Sequence, residues 1–173
     1  MQKVALVTGS SSGIGFESCI ALAKDGYRTF ASMRDIKKAG EIKAIAKKEN
    51  LPIDVIQLDV DNEESIVSAI KQIVSDGGRL DVLVNNAGYG VMGHVEDLSV
   101  QEFTEQFQTG FFGPLRVIKA VLPQMKKQNS GRIVNISAIV GRIGVQFASP
   151  LSCSKFALEG LSESMRYELR GTG

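Results

Sequence analysis

A chain of 173 residues, 43% hydrophobic and 23% charged, carries enough apolar material for one buried core, and a single domain spanning 1–173 is the expectation. Twenty Lys and Arg against 19 Asp and Glu leave a formal net charge of +1, so no global field recruits nucleic acid or an acidic membrane surface. Cys19 and Cys153 are the only cysteines, too few for a disulfide framework or a zinc site, and their apolar, helix-like surroundings read as buried free thiols.

The opening run MQKVALVTG is too short for a signal h-region, and no segment approaches a membrane-spanning length; a soluble, cytoplasmic protein with no membrane partner is expected. Strand and helix signals alternate from there on. KVALVTG (3–9) is a β-rich run ending in glycine, and GIGFESCIALAKDGY (13–27) follows at helical spacing until Gly26 stops it. RTFASMR (28–34) reads as a second strand, and DIKKAGEIKAIAKKEN (35–50) as an exposed amphipathic helix whose lysines form a solvated face. IDVIQLDV (53–60) is the third strand. Asp61 with Glu64 predicts a capping box for a helix through about Asp76, ended by Gly77 and Gly78. LDVLVNNAG (80–88) is a buried strand running into Asn and Gly. Ser99 with Glu102 predicts a second capping box, opening a long helix to about Gln128 with Pro123 near its end. GRIVNIS (131–137) is the fifth strand, and a last helix covers about 150–170, with Gly171 as its stop. This alternation predicts an α/β, doubly wound parallel sheet of about five strands with helices on both faces.

TGSSSGIG (8–15) falls where the first strand meets the first helix. Glycines there permit a tight turn and let backbone approach a pyrophosphate, while the helix start aims free N–H groups and its positive dipole end at that anion. Its place in the first βαβ unit points to a dinucleotide, and the spacing is Gly-x-x-x-Gly-x-Gly.

Together with LDV (58–60), NNAG (85–88) and SKFALEG (154–160), this loop resembles the short-chain dehydrogenase/reductase family, and its tail resembles the hydroxysteroid and retinol dehydrogenase branches. The resemblance covers nearly the whole chain. It implies a Rossmann-type sheet in the order 3-2-1-4-5, cofactor contacts by Gly9, Ser11, Ser12, Gly13, Ile14 and Gly15, an adenine amino contact by Asp59 with Val60 beside it, and a cleft lined by Asn85, Ala87 and Gly88, which also brace the fourth strand. At the end of the second strand an NAD site wants a carboxylate for the ribose 2′-hydroxyl, whereas a 2′-phosphate wants a guanidinium. ASMRD places Arg34 there, with Ser11 or Ser12 supplying hydroxyls, so NADP(H) is expected over NAD(H).

The family's reaction moves a hydride between nicotinamide and an alcohol or ketone carbon, with a tyrosine as general acid/base beside a lysine that favours its phenolate and holds the nicotinamide ribose. Lys155 occupies the lysine position. The tyrosine position, four residues earlier, is Leu151; the serine position is Ala138; the asparagine position on the long helix is Gly110. Ser137 is next to Ala138, but a one-residue slip on a strand turns a side chain to the other face. Catalysis is therefore expected to be crippled, with Lys155 retained for the ribose; the alternative is a non-catalytic dinucleotide-binding pseudoenzyme, engineered scaffold or structural fragment. Gly110 is also odd locally, since glycine inside a helix costs roughly 1 kcal/mol relative to alanine.

Family members usually continue past the last helix into further strands and a substrate loop, so the fifth strand is expected to show an exposed apolar edge. A homodimer through the helices at 99–128 and 150–170, or other pairing at that edge, is implied. Val91, Met92, Val145 and Phe147 suggest a small apolar alcohol or ketone as substrate. His94 is the sole histidine and reads as a loop or surface residue, so no metal site is expected.

Overall fold

The chain alternates β1 (Val4–Val7), α1 (Gly13–Lys24), β2 (Arg28–Met33), α2 (Gly40–Glu49), β3 (Ile53–Gln57), α3 (Glu63–Gly77), β4 (Val82–Asn85), α4 (Val100–Phe107), α5 (Gly113–Lys127), β5 (Arg132–Asn135) and α6 (Ser149–Glu168). These ranges come from a computed structural model that describes residues 1–172. All four strand pairings are parallel, as the alternating pattern predicts, and the sheet order is β3-β2-β1-β4-β5, as the resemblance implies.

Parallel strands joined by crossover helices are covered on both faces, and the period of two along each strand feeds two cores. Val4 and Leu6 of β1, Phe30 of β2 and Leu83 of β4 enter one core with residues of α3, α5 and α6. Ala5 and Val7, Ala31 and Met33, and Val82 and Val84 enter the other with Phe16 and Cys19 of α1 and Ile42 of α2. Leu6, Val7 and Leu83 are wholly buried. At roughly 25 cal/mol per Å² of apolar surface, each such side chain contributes about 1.5–3 kcal/mol.

Three sequence expectations need correction. The cap of α3 is Asn62, whose side chain accepts from Ser65 N; Asp61 instead accepts a 2.7 Å hydrogen bond from Thr109 Oγ1. Both residue types can cap, and the extended backbone of Asn62 one step later decides which one does. The long helix from Ser99 does carry its capping box, but a single π-turn, Gln108–Phe112, divides it into α4 and α5. Cys19 is buried as expected, whereas Cys153 is exposed on the outer face of α6.

β5 pairs only with β4 among the described residues, and Val134 stands 45% exposed on it. A groove of about 470 Å³ runs beside this strand, lined by Ile133, Asn135 and Ser137 on one side and by Met165 and Leu169 on the other. No helix of the described residues is long and apolar enough to cross a membrane.

The two ends of the central strands are tied by Asp81, which is 5% exposed. It accepts from Val4 N at 2.8 Å and from Arg79 Nε at 2.7 Å. Burial opposes its ionisation, but these two donors prevail and hold the carboxyl below its ordinary value. A depressed carboxyl adds stability that is present above its unfolded pKa and is lost as pH falls toward the folded one. Asp81→Asn is therefore expected to cost about 1–3 kcal/mol in urea unfolding at pH 7, with the difference from wild type shrinking as the pH is lowered through the carboxylate range. Burial likewise pushes the Cys19 thiol up to about 11, against a smaller lowering by Ser10. A thiol reagent at pH 7.5 is expected to label Cys153 alone in the native protein, and Cys19 only in denaturant, as read by mass spectrometry of peptides.

Candidate functional site

The loop between β1 and α1 is held by side chains of its neighbours. Thr8 N donates to Val84 O at 2.9 Å, and Ser10 N to Ser32 O at 2.8 Å, which tie the loop to β4 and β2. Thr8 Oγ1 accepts from the backbone N–H groups of Asn86 and Ala87, each at 3.0 Å. Asn86 Nδ2 returns two hydrogen bonds, to Thr8 O and Gly9 O, also at 3.0 Å. The four bonds make a reciprocal knot between the first loop and the end of β4.

Two glycines make that knot possible. Gly9 has φ +67°, and a Cβ there would lie 2.7 Å from Ala87 Cα. A Cβ on Gly15 would lie 2.5 Å from Gly9 O and would collide with the Asn86 amide. Gly13, at φ +59°, turns the chain into α1. Ser12 stands at the N-cap of α1 but makes no capping hydrogen bond, so the first N–H groups of this helix keep their donor capacity and its dipole end is bare.

A cleft of about 720 Å³ opens at this point, at the carboxyl ends of the strands where the sheet order reverses between β1 and β4. Of the residues expected to contact a cofactor, Gly9, Ser11, Ser12, Ile14, Arg34, Asp59, Val60, Ala87 and Gly88 line it. Arg34 leaves the end of β2 with no ion-pair partner among the described residues; Asp35 accepts from Lys37 N at 3.0 Å and caps the short turn Ile36–Ala39. Asp59 Oδ1 accepts from Asp61 N at 3.1 Å. Sequence reasoning missed Thr8, Asn86 and Lys38. Asn86 sits in the quoted NNAG motif, but nothing local says that its amide turns back to the first loop. Lys38 is exposed, as a lysine of a solvated face, and also lines the cleft.

Four expected residues do not line the cleft: Gly13 and Gly15 shape the loop beside it, and Asn85 and Lys155 lie elsewhere. Asn85, 3% exposed, faces β5, with Nδ2 donating to Asn135 Oδ1 at 2.9 Å, and Asn135 Nδ2 in turn donating to Ser162 Oγ at 2.9 Å. It braces strands rather than lining the cleft. Lys155 is half-buried on α6, and its Nζ donates to Ile136 O at 2.7 Å; desolvation alone lowers its pKa from 10.5. The ammonium is held at the end of β5 by one carbonyl, with donor capacity to spare.

Two of the three positions that depart from the resemblance, Gly110 and Leu151, are in close packing. Gly110 is buried in the π-turn, where a Cβ would meet Ser154 Oγ at 3.0 Å and Gln106 Nε2 at 3.1 Å. Leu151 touches the loop after β4, since a Cβ on Gly90 would lie 3.3 Å from Leu151 Cδ2. Ala138 is exposed and starts a short turn, Ile139–Gly141. Ser137, by contrast, turns away from the dinucleotide cleft: with Asn135 it lines the groove beside β5, and its buried hydroxyl has no partner. Gln106, fully buried, fixes the loop after β4 by accepting from Val91 N at 2.9 Å and donating to Tyr89 O at 3.0 Å. Beyond it, Gly93 N donates to Phe147 O at 2.8 Å and His94 packs edge-on against Phe147 at 4.6 Å, so His94 joins two loops. Met92, Val145 and Phe147 remain exposed there. No cluster of metal-ligating side chains occurs among the described residues.

The family model described as short chain dehydrogenase matches residues 3–173. Bovine retinol dehydrogenase 8 is 42% identical over 171 residues, covering 96% of this chain and 54% of its own. The oxidoreductase YusZ of Bacillus subtilis is also 42% identical, over 97% of this chain and 60% of its own. The chain thus spans little more than half the length of these relatives. Among solved structures, a short-chain dehydrogenase from Streptomyces avermitilis superposes with a TM-score of 0.94 at 35% identity, covering 100% of this chain and 62% of its own. The actinorhodin polyketide ketoreductase, solved with NADPH, gives 0.95 at 34% identity, over 99% and 67%.

A methyl group at position 15 has no room beside the Gly9 carbonyl. Gly15→Ala is expected to cost about 1–3 kcal/mol by overpacking and to abolish dinucleotide binding, read by thermal unfolding and by fluorescence titration.

Proposed function

The chain belongs to the short-chain dehydrogenase family, and from that premise we propose that it is a single dinucleotide-binding domain that takes NADP(H) in the cleft at the start of α1, with hydride-transfer chemistry crippled. The observation that carries this reading is the bare N-terminus of α1, knotted by Thr8 and Asn86 against β4 so closely that position 15 has no room for a Cβ. Such a site fits a pyrophosphate: it offers directed N–H donors and a positive dipole end at close approach. Asp59 and Val60 line the adenine end of the cleft, and Arg34 stands at the end of β2, unpaired, for a 2′-phosphate. Lys155 is read as the group for the nicotinamide ribose, its amine held at the Ile136 carbonyl.

When bound, the cofactor supplies or accepts a hydride at an alcohol or ketone carbon, and the protein must then move a proton at the oxygen. Leu151 has no atom that can hold a proton, and Ala138 offers no donor to the oxygen. Loss of positioned acid/base catalysis costs about 10²- to 10⁴-fold in rate. A non-catalytic dinucleotide-binding module is the second reading, favoured by the packing that now fills the vacated positions: Leu151 against Gly90, and α6 close against Gly110. The exposed apolar residues Met92, Val145 and Phe147 support a small apolar substrate if turnover occurs. A cytoplasmic location, and a homodimer through α4, α5 and α6, where Phe112 and Phe156 are exposed, complete the proposal.

Fluorescence titration of the purified chain with NADPH is expected to give saturable binding, tighter than NADH. Restoring Ala138→Ser and Leu151→Tyr together is expected to raise ketone reduction by about 10²-fold or more. Retained binding with unchanged turnover would identify the non-catalytic module, and binding of neither dinucleotide would defeat both readings. Gly110→Asn is a later addition, since Ser154 must first give way.

A further inference from the structure

A hollow of about 560 Å³ lies between the loop ahead of α6 and the first turns of that helix, lined by Gly144, Val145, Ser149, Ser152, Cys153 and Phe156. It shares no residue with the dinucleotide cleft or with the groove beside β5. Val145 and Phe156 are exposed on it and give it apolar walls. The loop that forms one wall is pinned. Phe147 holds φ +65°, a left-handed conformation uncommon for a bulky residue, and Gly93 N donates to its carbonyl at 2.8 Å. Ala148, 2% exposed, donates its N–H to Val145 O at 3.2 Å.

Two side chains of this hollow are unspent. Ser152 is 5% exposed, and its buried hydroxyl has no hydrogen-bond partner among the described residues. Helical serines commonly return the hydroxyl to a carbonyl of the preceding turn, as Ser154 does to Leu151 O at 2.8 Å and Ser162 to Leu158 O at 2.7 Å. Ser152 makes no such bond, and an orphaned buried donor is costly until an acceptor meets it. Its neighbour Cys153 is a free, exposed thiol. A buried O–H donor, a soft nucleophile and apolar walls are together the complement of an apolar molecule whose carbonyl is conjugated to a carbon–carbon double bond. The hydroxyl donates to the carbonyl oxygen, and the thiolate meets the electron-poor β carbon.

We propose that this hollow is a covalent binding site for apolar α,β-unsaturated ketones and aldehydes, with Cys153 as the nucleophile and Ser152 as the donor to the carbonyl oxygen. The Cys153 thiol gives its proton to water, and its Sγ forms a bond to the β carbon. The double-bond electrons move toward the oxygen, where the Ser152 hydroxyl, turned about χ1, donates to the enolate. A proton from water then reaches the α carbon. The thiol has added across the double bond, with no leaving group and with nothing oxidised or reduced by another reagent. This site stands independently of the dinucleotide reading.

The full chain is incubated with benzylideneacetone, an apolar enone, and the adduct is mapped by mass spectrometry of peptides, with iodoacetamide alkylation reporting the general reactivity of the thiol. One intact enone is expected on Cys153 and none on Cys19, at a rate that saturates as the enone is raised. The saturated counterpart benzylacetone can accept from Ser152 but offers no double bond. It is expected to form no adduct and to slow iodoacetamide alkylation of Cys153 saturably. Ser152→Ala is expected to slow the enone about tenfold while leaving iodoacetamide within about twofold, with circular dichroism confirming the fold. Cys153→Ser abolishes the adduct. An enone rate unchanged by Ser152→Ala, a rate that rises without saturation, or no protection by benzylacetone would overturn the proposal and leave Cys153 an ordinary exposed thiol. A Cys153 that neither reagent reaches would overturn it too, since another surface then covers the hollow. Should Ser152→Ala not fold, saturation and protection in the wild type decide.

Discussion

The reciprocal hydrogen bonds between Thr8 and Asn86 are the constraint on which the site depends. They join the loop that leaves β1 to the end of β4, the two strands between which the sheet order reverses. A loop with this much glycine would otherwise sample many conformations, since glycine loses more backbone freedom on ordering than any other residue. Satisfying Thr8 O and Gly9 O with one side-chain amide, and two backbone N–H groups with one hydroxyl, fixes the loop without spending the N–H groups at the start of α1. Those remain for an anion.

The strands beneath explain why the knot holds its place. β1 and β4 are buried on both faces, and their ends are tied at the opposite side of the sheet by the Asp81 carboxylate, with Val4 and Arg79 as donors. Neither strand can slide without exposing side chains to the wrong core, because a one-residue slip exchanges the two faces. The cleft is therefore a property of the sheet rather than of the loop alone.

The reaction end of the molecule is built differently. Gly110 lies on a π-turn against Ser154 of α6, Leu151 lies on α6 against Gly90 in the loop after β4, and Ala138 stands exposed at the start of a short turn. A glycine that is unfavourable in a regular helix is suited to a π-turn pressed against Ser154. The polar chain from Asn85 through Asn135 to Ser162 ties β4 and β5 to α6.

The parallel sheet, its two-sided burial, the Ser99 capping box and most of the residues lining the cleft beside the glycine loop were legible in the sequence, because period and turn chemistry act over a few residues. The cap at Asn62, the π-turn inside the long helix and the exposure of Cys153 were not, since each depends on what packs against the element from elsewhere in the chain. The same holds for Lys38 and Asn86: a lysine on a polar turn and an asparagine at a strand end look alike whether they face solvent or a site. Composition and spacing determined that this chain makes a parallel sheet with a glycine loop at its switch point. Only the tertiary structure decided which side chains close around that loop, because contacts between residues far apart in sequence carry no local signature.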